Sequence, residues 1–575
     1  MAAALSAADK EDIRNSLIPH PKFHFAWDTP QTLSEWHERK DLLRKRILTS
    51  AGLNPMPPRG RLAVQITKRQ DFKQFRIWTM LFETLPGFYI GADLYLPPAE
   101  MKGPFPAVLS PHGHWKQGRL THRDDYSVPS LGVNLAAQGY VVIAWDMIGY
   151  NDARQLPHDS VSQHKQLWGM SPLGLELWNS IRMLDYIESL PEVDRRRIGV
   201  TGASGGGTQT FLLAAVDDRL KAVAPVNMIS SSMQGGDPCE EAPGLRLDTN
   251  NVEIAAMNAP RPMLMISSTG DWTKSTPQEE FPRVRSIYEL FDASAMVVNK
   301  HFEAEHNFNR ASREAVYEFF AKHLSPRSPG PENITFEWIE ENLKSSFLEM
   351  PRQELPAEAP DEAGLVKRWI EMSMTQVHEP TDRKLQKERM RMAFGISVPK
   401  PVIGSSSGGM VQLAPMQEEK FVKGLRSEGE RGTVIVVHPK SAEDGLASPE
   451  AEKWRKNGYA VLALEPFHAS AERETHRRGD RWFLSYNLSD AAIHTEDILI
   501  ALQYARGDSK GKIKLIGLGD AAIWCTFAAA LAPWPVDLEA QAGKFAGTDD
   551  ELIDRFFVPG LQRAGGWFMA QRLSR

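Results

Sequence analysis

The chain has 575 residues, of which 42% are hydrophobic and 24% are charged. This length allows roughly two to four domains of ordinary size, and the composition is that of a soluble globular protein. The formal net charge of −6 gives no general attraction to nucleic acid or to an anionic membrane, so we expect neither as a partner.

Cysteine content and the N-terminal residues bear on the compartment. Cys239 and Cys525 lie far apart in sequence, which predicts two free thiols and neither a disulfide framework nor a cysteine-based zinc site. Charges at residues 9–12 interrupt any apolar signal core, and no run reaches the ~18 apolar residues of a membrane span. We expect a soluble chain that is cytoplasmic, or periplasmic or secreted with its signal already removed.

The N-terminal part combines a helix with a β-rich region. Residues 31–52 carry apolar side chains at helical spacing and are followed by prolines, so residues 1–58 are predicted to be an N-terminal helical segment. Two runs rich in aromatic and β-branched residues come next, QFRIWTMLFETL and FYIGADLYLP. Pro86–Gly87 separates them, which predicts a β-hairpin.

From Phe105 onward, short apolar strands alternate with helices. The predicted strands are PAVLSPHG, YVVIAWDM, RIGVTG, AVAPVN, PMLMISS and SAMVVNK. Strands of this kind, separated by helices, form a buried parallel sheet. A hairpin followed by such a sheet is the order of an α/β-hydrolase fold, which we assign to a catalytic domain at residues 59–324.

The second half of the chain repeats this pattern imperfectly. The proline-rich run SPRSPGPEN predicts a boundary, and residues 325–404 are predicted to be a helical linker region that contains a loop at SVPKPVIGSSSGG. GTVIVVHP, WRKNGYAVLALEP and KIKLIGLGDAA then resemble PAVLSPHG, LAAQGYVVIAWDM and RIGVTGASGGG, in the same order. The shared order favours an internal duplication, so residues 405–575 are predicted to be a degenerate α/β-hydrolase-like domain.

A nucleophile motif lies between a predicted strand and a predicted helix. Residues 202–206 read Gly-Ala-Ser-Gly-Gly, which fits G-x-S-x-G in the strand–turn–helix context that the motif requires. Ser204 is therefore the predicted nucleophile. The backbone N–H of Gly205, at the start of the helix, is a predicted oxyanion donor.

The acid and the base are expected after Ser204 in the chain, in that order. Asp271 comes after the strand PMLMISS and is the predicted acid, while His306 precedes an amphipathic helix and is the predicted base. His301 is the competing histidine, with a structural role as its alternative. Glu303, Glu305 and Asp248 are competing acids that we interpret as solvated or loop-fixing groups.

The loop after PAVLSPHG supplies the second oxyanion donor in this fold. Its N–H is expected to come from His114 or Trp115. His112 and His114 alone lack a third ligand at suitable spacing, so neither a metal nor any other cofactor is predicted. Trp115 and Trp272 lie near the predicted pocket and are candidate substrate contacts, with simple packing as the alternative.

Taken together, GPFPAVLSPHGHW, AWDMIGYNDA, RRRIGVTGASGGGTQTFLLAAVDDR, PRPMLMISSTGDWT and EHNFNRASREAVYEFF resemble the bacterial acetyl-xylan-esterase-like group of α/β-hydrolases, which is akin to dienelactone hydrolases. The resemblance covers about residues 30–324. It implies a serine carboxylic ester hydrolase acting on a small-molecule or polysaccharide ester, with the same Ser204, Asp271 and His306. Its oligomeric state stays open.

The second repeat lacks the chemistry of the first. Its alignment places Gly519 at the nucleophile position and Asp520 after it, so no hydroxyl or thiol is available there. We therefore expect this domain to be catalytically silent. Two other functions stay open for the whole chain, namely a serine peptidase on the same fold and a non-catalytic carbohydrate-binding protein built from two hydrolase-like units.

Overall fold

The structure is a computed structural model. It describes residues 12–25, 27–325, 327–350, 352–379, 381–397, 400–416, 418–467, 481–508 and 513–575. The chain forms two compact units. The first unit comprises Pro21–Val161 and Met170–Met372, and the second comprises the described residues of Met1–His20, Ser162–Gly169 and Ser373–Arg575. The domain boundaries placed at 58, 324 and 404 stay predictions.

The first unit is built around a nine-stranded sheet. Its strands are β1 (Ala63–Asp71), β2 (Arg76–Leu85), β3 (Phe88–Leu96), β4 (Phe105–Leu109), β5 (Val141–Trp145), β6 (Val193–Ala203), β7 (Ala222–Val226), β8 (Met263–Gly270) and β9 (Val297–Glu305). They lie in the order β1-β2-β3-β5-β4-β6-β7-β8-β9. The strands β1 to β3 and the β3–β5 pair are antiparallel, and all later pairs are parallel.

This arrangement confirms the predicted α/β-hydrolase fold. The expected hairpin is β2 and β3, which pair as far as Leu85 and Phe88 beside the Pro86–Gly87 turn. The six strands predicted after residue 104 are all present and parallel to one another. β9 extends five residues past the predicted run SAMVVNK, so His301 lies inside a strand.

Helices cover the sheet of the first unit. They span Leu33–Ser50, Val128–Ala137, Pro172–Ser189, Gly205–Val216, Asn251–Ala256, Glu280–Leu290, Arg310–Leu324, Phe336–Leu343 and Glu362–His378, the last of which reaches into the second unit. Thr32 and Glu35 form a capping box at the start of the first of these helices. The strands β4, β5 and β7 are buried along their whole length, as expected for a sheet covered on both faces.

The second unit contains a seven-stranded sheet. Its strands are β10 (Val402–Ser407), β11 (Met410–Pro415), β12 (Val422–Arg426), β13 (Thr433–Val437), β14 (Ala460–Glu465), β15 (Ile513–Gly517) and β16 (Val536–Ala540). Their order is β10-β11-β12-β14-β13-β15-β16. This order and the parallel or antiparallel sense of each pair repeat those of β1 to β7. The second α/β domain expected from the sequence is therefore present.

The helices of the second unit complete its core. They span Gln163–Leu167, Arg383–Phe394, Ala442–Ala447, Pro449–Lys456, Phe483–Tyr486, Asp490–Asp508, Ala521–Leu531, Asp549–Arg555 and Gly566–Leu573. The helix Ala521–Leu531 is buried along its whole length. Gln163–Leu167 comes from the middle of the sequence, yet Leu167 is part of this core.

The loop predicted at SVPKPVIGSSSGG is wrong for Val402–Ser407. Val402–Ser407 forms β10, which pairs with β11, and Gly408 and Gly409 form the turn with positive φ values. The strand is polar and almost entirely exposed, so it lacks the apolar alternation by which strands are recognised from sequence. Val398 and Pro399 lie outside the described residues.

Among the helices that the structure describes, none combines the length and the apolar character of a membrane span.

Candidate active site

Ser204 lies in a tight turn between β6 and the helix Gly205–Val216. Its backbone has φ +59° and ψ −126°, a conformation that a residue with a side chain adopts only under strain. The neighbouring chain comes so close that a Cβ at Gly202 would lie 2.4 Å from the Pro111 carbonyl oxygen. The glycines of the motif therefore permit the turn, and Ser204 is held at the carboxyl end of a central strand.

Asp271 and His306 come directly after the two adjacent strands β8 and β9. His306 Nδ1 lies 2.9 Å from Asp271 Oδ2, and the Asp271 side chain is only 1% exposed. The second carboxylate oxygen, Oδ1, accepts hydrogen bonds from the backbone N–H of Thr273 at 2.7 Å and from its hydroxyl at 2.5 Å. The carboxylate is thus fixed on one side, and its other oxygen orients the imidazole ring.

The other ring nitrogen of His306 is available for proton transfer. Nε2 is buried and has no hydrogen-bond partner within the part of the chain that the structure describes. The Ser204 hydroxyl is therefore not bonded to it in this conformation. Catalytic hydrogen bonds are often long without substrate and tighten only when it binds.

Two tryptophans enclose the His306 ring. Trp115 stacks on it with ring centres 5.6 Å apart and planes 7° apart, and Trp272 lies 4.4 Å away at 38°. A Cβ at Gly113 would touch both Trp115 and the Ser204 Cβ, at 2.5 and 3.0 Å. The structure therefore brings together the predicted triad and both tryptophans, which are Ser204, Trp115, His306, Trp272 and Asp271.

The two candidate oxyanion donors in the loop after β4 differ in their hydrogen bonding. The Gly113 N–H donates to the Tyr126 hydroxyl at 2.9 Å, and the Trp115 N–H donates to the Gly113 carbonyl oxygen at 2.9 Å. No such bond is formed by the His114 N–H within the described chain. Of the two donors proposed from sequence, His114 is therefore the free one, and Gly205 offers an N–H in the first turn of its helix.

His301 has a separate set of contacts. It lies in β9 opposite Ser267, and its Nδ1 is 2.8 Å from the Ser267 hydroxyl. Of the competing acids, Glu305 is exposed and pairs with Gly270 in the sheet, while Asp248 is exposed near Arg46. These positions agree with the structural and solvated interpretations drawn from the sequence.

His112 does not share the surroundings of His114. It is buried, its Nδ1 lies 2.8 Å from the Gly113 carbonyl oxygen, and its Nε2 accepts from the Met147 N–H at 3.0 Å. Burial lowers the pKa of His112 to about 3, so the ring stays neutral. It ties two loops together and has no nitrogen left for a ligand.

A buried charge network supports the same loops, and sequence reasoning missed its centre. Arg119 is fully buried and binds the carboxylates of Asp93 at 2.7 Å, Asp152 at 2.9 Å, and Asp146. Asp146 also accepts from the Asp152 N–H, so it bonds a backbone group of its own loop. A lone arginine in a loop gives no sequence signal for such a role, because its carboxylate partners come from β3 and from the loop after β5.

A second group of polar side chains surrounds His114, and it too went unrecognised in the sequence. His114 Nε2 lies 2.8 Å from Cys239 Sγ, and its ring centre is 5.1 Å from that of His158. Nδ1 of the same ring is 3.6 Å from Asp237 and 3.8 Å from Glu240. Side chains from distant loops therefore meet at His114, a grouping that the local sequence does not show.

The corresponding turn of the second unit differs at the reacting position. Gly519 comes after β15 with φ +52°, the same left-handed region as Ser204, and precedes the helix Ala521–Leu531. Asp520 is exposed and forms an ion pair with Arg555 at 2.6 Å. The turn is retained, but it carries no nucleophile.

Comparisons with known proteins agree with this architecture. Residues 62–232, which include Ser204, match the family model of acetyl xylan esterase (AXE1). The Bacillus subtilis protein named "Putative hydrolase YtaP" is 28% identical over 246 residues, 40% of this chain and 81% of that protein.

Two solved structures are also similar. Methylesterase BT1017 is 28% identical with a TM-score of 0.49, covering 63% of this chain and 77% of that one. A glucuronoyl esterase from Solibacter usitatus is 16% identical with a TM-score of 0.41, covering 53% of this chain and 98% of that one.

The fold, the serine turn and the family match define a carboxylic ester hydrolase of the α/β-hydrolase type. The match over residues 62–232 agrees with the resemblance to acetyl-xylan-esterase-like α/β-hydrolases that the motifs of residues 30–324 predict.

Proposed function

We propose that this protein is a serine carbohydrate esterase of the acetyl-xylan-ester type, with Ser204, His306 and Asp271 as its catalytic triad. The observation that carries the proposal is the fixed Asp271–His306 pair, whose free Nε2 is buried in the cluster that also contains Ser204. A serine hydroxyl needs such an oriented base to attack an ester.

In the proposed reaction, Ser204 is the nucleophile and His306 transfers the proton. The Ser204 oxygen attacks the ester carbonyl carbon while His306 Nε2 takes the hydroxyl proton. The alcohol leaves with that proton, and an acyl group remains on Ser204. A water molecule then attacks the acyl carbon by the reverse proton transfers, which releases the acid and restores the serine.

Two backbone groups stabilise the oxygen anion that forms in each step. Gly205 and His114 are the donors, because both N–H groups are free of other bonds within the described chain and border Ser204. Donors fixed in this way are worth about 3 kcal/mol each in related acyl transfers. Asp271 keeps the imidazole oriented and stabilises its charged form.

The carbohydrate part of the proposal is supported by the family match and by the two tryptophans. Trp115 and Trp272 border the base, where flat aromatic faces suit sugar rings. Peptidase activity and binding without turnover, the two alternatives, have no observation of their own in their favour.

A matched substrate panel tests the proposal. Acetylated xylan, methyl-esterified pectin and p-nitrophenyl acetate are assayed with the wild type and with Ser204→Ala. We expect acetate release from xylan by the wild type, and a burst of p-nitrophenol that the variant lacks. Cleavage of aryl esters but of no polysaccharide would reject the carbohydrate substrate, and an unchanged burst in Ser204→Ala would reject the nucleophile.

The second unit is proposed to be silent in this chemistry. Gly519 offers no nucleophile, and a carboxylate at Asp520 would repel the developing oxyanion. In addition, no strands corresponding to β8 and β9 occur among its described residues. All turnover is therefore assigned to the first unit.

A further inference from the structure

We propose that His114, His158 and Cys239 bind one divalent metal ion of the zinc class beside the nucleophile turn. The three side chains come from separate loops of the first unit, and one ligand atom from each lies within 4.8 Å of the others. Bonds of about 2.0–2.3 Å from one ion to two imidazole nitrogens and a thiolate sulfur fit that spacing. The inference does not depend on the esterase proposal.

The orientation of His158 supports the site. Its Nδ1 lies 2.8 Å from the Ile148 carbonyl oxygen, which fixes that nitrogen as the donor. Nε2 is buried and lacks a hydrogen-bond partner within the described residues. A buried nitrogen lone pair without a partner is costly, and a metal ion would satisfy it.

In His114, too, one ring nitrogen faces the proposed metal site and the other faces supporting groups. Nε2 points to Cys239 Sγ at 2.8 Å, while Nδ1 faces the carboxylates of Asp237 and Glu240. Histidine ligands of metals usually direct the second N–H to a carboxylate or a backbone carbonyl, which fixes the tautomer and the ring. Both histidines therefore leave Nε2 for the ion and use Nδ1 for support.

Cys239 is the ligand that selects the metal. It is fully buried, and the site combines one soft sulfur with two imidazole nitrogens, a donor set typical of zinc. Binding breaks the S–H bond, forms a metal–sulfur bond and releases one proton to solvent. Three protein ligands leave a fourth coordination position for water or another small ligand.

The site is adjacent to the esterase centre and distinct from it. A Cβ on Gly205 would lie 2.7 Å from His114 Cε1, so the His114 ring packs directly against the oxyanion side of the nucleophile turn. A bound ion would hold the loop from His112 to Trp115 in place. Its role here is to position that loop, while proton transfer stays with His306.

Cobalt(II) binding to the full-length, tag-free protein tests the proposal, because a cobalt–thiolate bond gives a charge-transfer absorption in the near ultraviolet. The chelator-treated wild type is expected to bind one equivalent with this band, and zinc should displace the cobalt. Cys239→Ser should lose the band and bind at least about 10-fold more weakly. Cys525→Ser, which removes the buried cysteine of the other unit, is the matched control and should behave as wild type.

A second variant separates ligand loss from misfolding. His158→Gln keeps Cys239, and we expect weaker cobalt binding with an unchanged far-ultraviolet circular dichroism spectrum. The absence of the charge-transfer band in the wild type would overturn the proposal, whatever the variants do. Equal cobalt affinity in wild type, Cys239→Ser and His158→Gln would also overturn it, because binding would then be elsewhere on the protein.

Discussion

The two sheets of this protein share an arrangement of seven strands and differ beyond the seventh. In both sheets an antiparallel region leads into parallel strands of the same order, and a turn with positive φ connects a central strand to a buried helix. In the first sheet that turn carries Ser204, and β8 and β9 deliver Asp271 and His306. In the second it carries Gly519, and no strand comes after β16 in the described chain.

This difference shows that the sheet and its turn can be present without the residues proposed for catalysis. The turn geometry survives without the nucleophile, since Gly519 adopts φ +52° where Ser204 has φ +59°. The proposed acid and base come after two strands that, within the described residues, only the first sheet has. A hydroxyl alone would therefore not restore activity in the second unit.

The largest expected effect is at the nucleophile. Ser204→Ala should lower kcat by about 10³-fold or more, because the hydroxyl proposed to form the acyl-enzyme is lost. Ser405→Ala, on the exposed edge strand of the second sheet, is the control and should keep wild-type kcat. Steady-state hydrolysis of p-nitrophenyl acetate measures both.

The same assay tests whether the second unit can be made active. The double variant Ser204→Ala/Gly519→Ser places a hydroxyl in the second turn, and it should remain as inactive as Ser204→Ala. Recovered turnover would show that the second unit retains an acid and a base of its own.

The assignment of the base is tested by substituting His306 and the competing histidine, His301, one at a time. His306→Ala should lower kcat by about 10³-fold or more, because the proton acceptor is lost. His301→Ala removes only the bond to Ser267 and should change kcat by less than about 10-fold. The reverse ranking would move the base to His301 and contradict the geometry described for β9.

The acid should show a smaller loss. Asp271→Asn should lower kcat by about 10²-fold or more, because the imidazole loses the carboxylate that orients it and stabilises its charge. Asp248→Asn is the matched control, since its side chain is exposed and faces Arg46. Equal kcat in the two variants would argue against Asp271.

The smallest predicted effect concerns stability and pH. Burial raises the pKa of Glu176 from 4.5 to about 8, so between these values the folded state holds a proton that the unfolded state has lost. The contribution of Glu176 to the free energy of unfolding should therefore fall as pH rises from about 5 to about 8, by up to about 1.4 kcal/mol per pH unit.

Urea unfolding at both pH values checks this prediction. Glu176→Gln should flatten the decrease, because its side chain does not titrate. Glu303→Gln, at an exposed position, should leave the decrease unchanged. An identical pH dependence in wild type and Glu176→Gln would refute the assignment.

The sequence predicts those parts of the fold and site that local pattern determines. The parallel strands are short and apolar, and the elbow at Ser204 has a fixed glycine pattern, so both are recognised without a structure. Asp271 and His306 are predicted from the strand order, and the structure places each directly after a strand on the same edge of the sheet.

Other features depend on contacts that no local pattern encodes. β10 is polar and exposed, so its pairing with β11 is invisible in its composition. Arg119 binds carboxylates from β3 and from the loop after β5, and His114 meets Cys239 and His158 only after the loops fold together. The number and spacing of the cysteines bear only on whether the two thiols pair with each other. The relevant neighbours of Cys239 are histidines.

The central claim is that one of two similar units carries the chemistry, at Ser204. The most direct test is to treat the full-length protein with a fluorophosphonate probe and to map the modified residue by mass spectrometry. The account predicts complete labelling of Ser204, with no modified residue beyond 324. Labelling of any residue within 405–575 would contradict this claim. Loss of esterase activity on probe treatment while Ser204 stays unmodified would also contradict it.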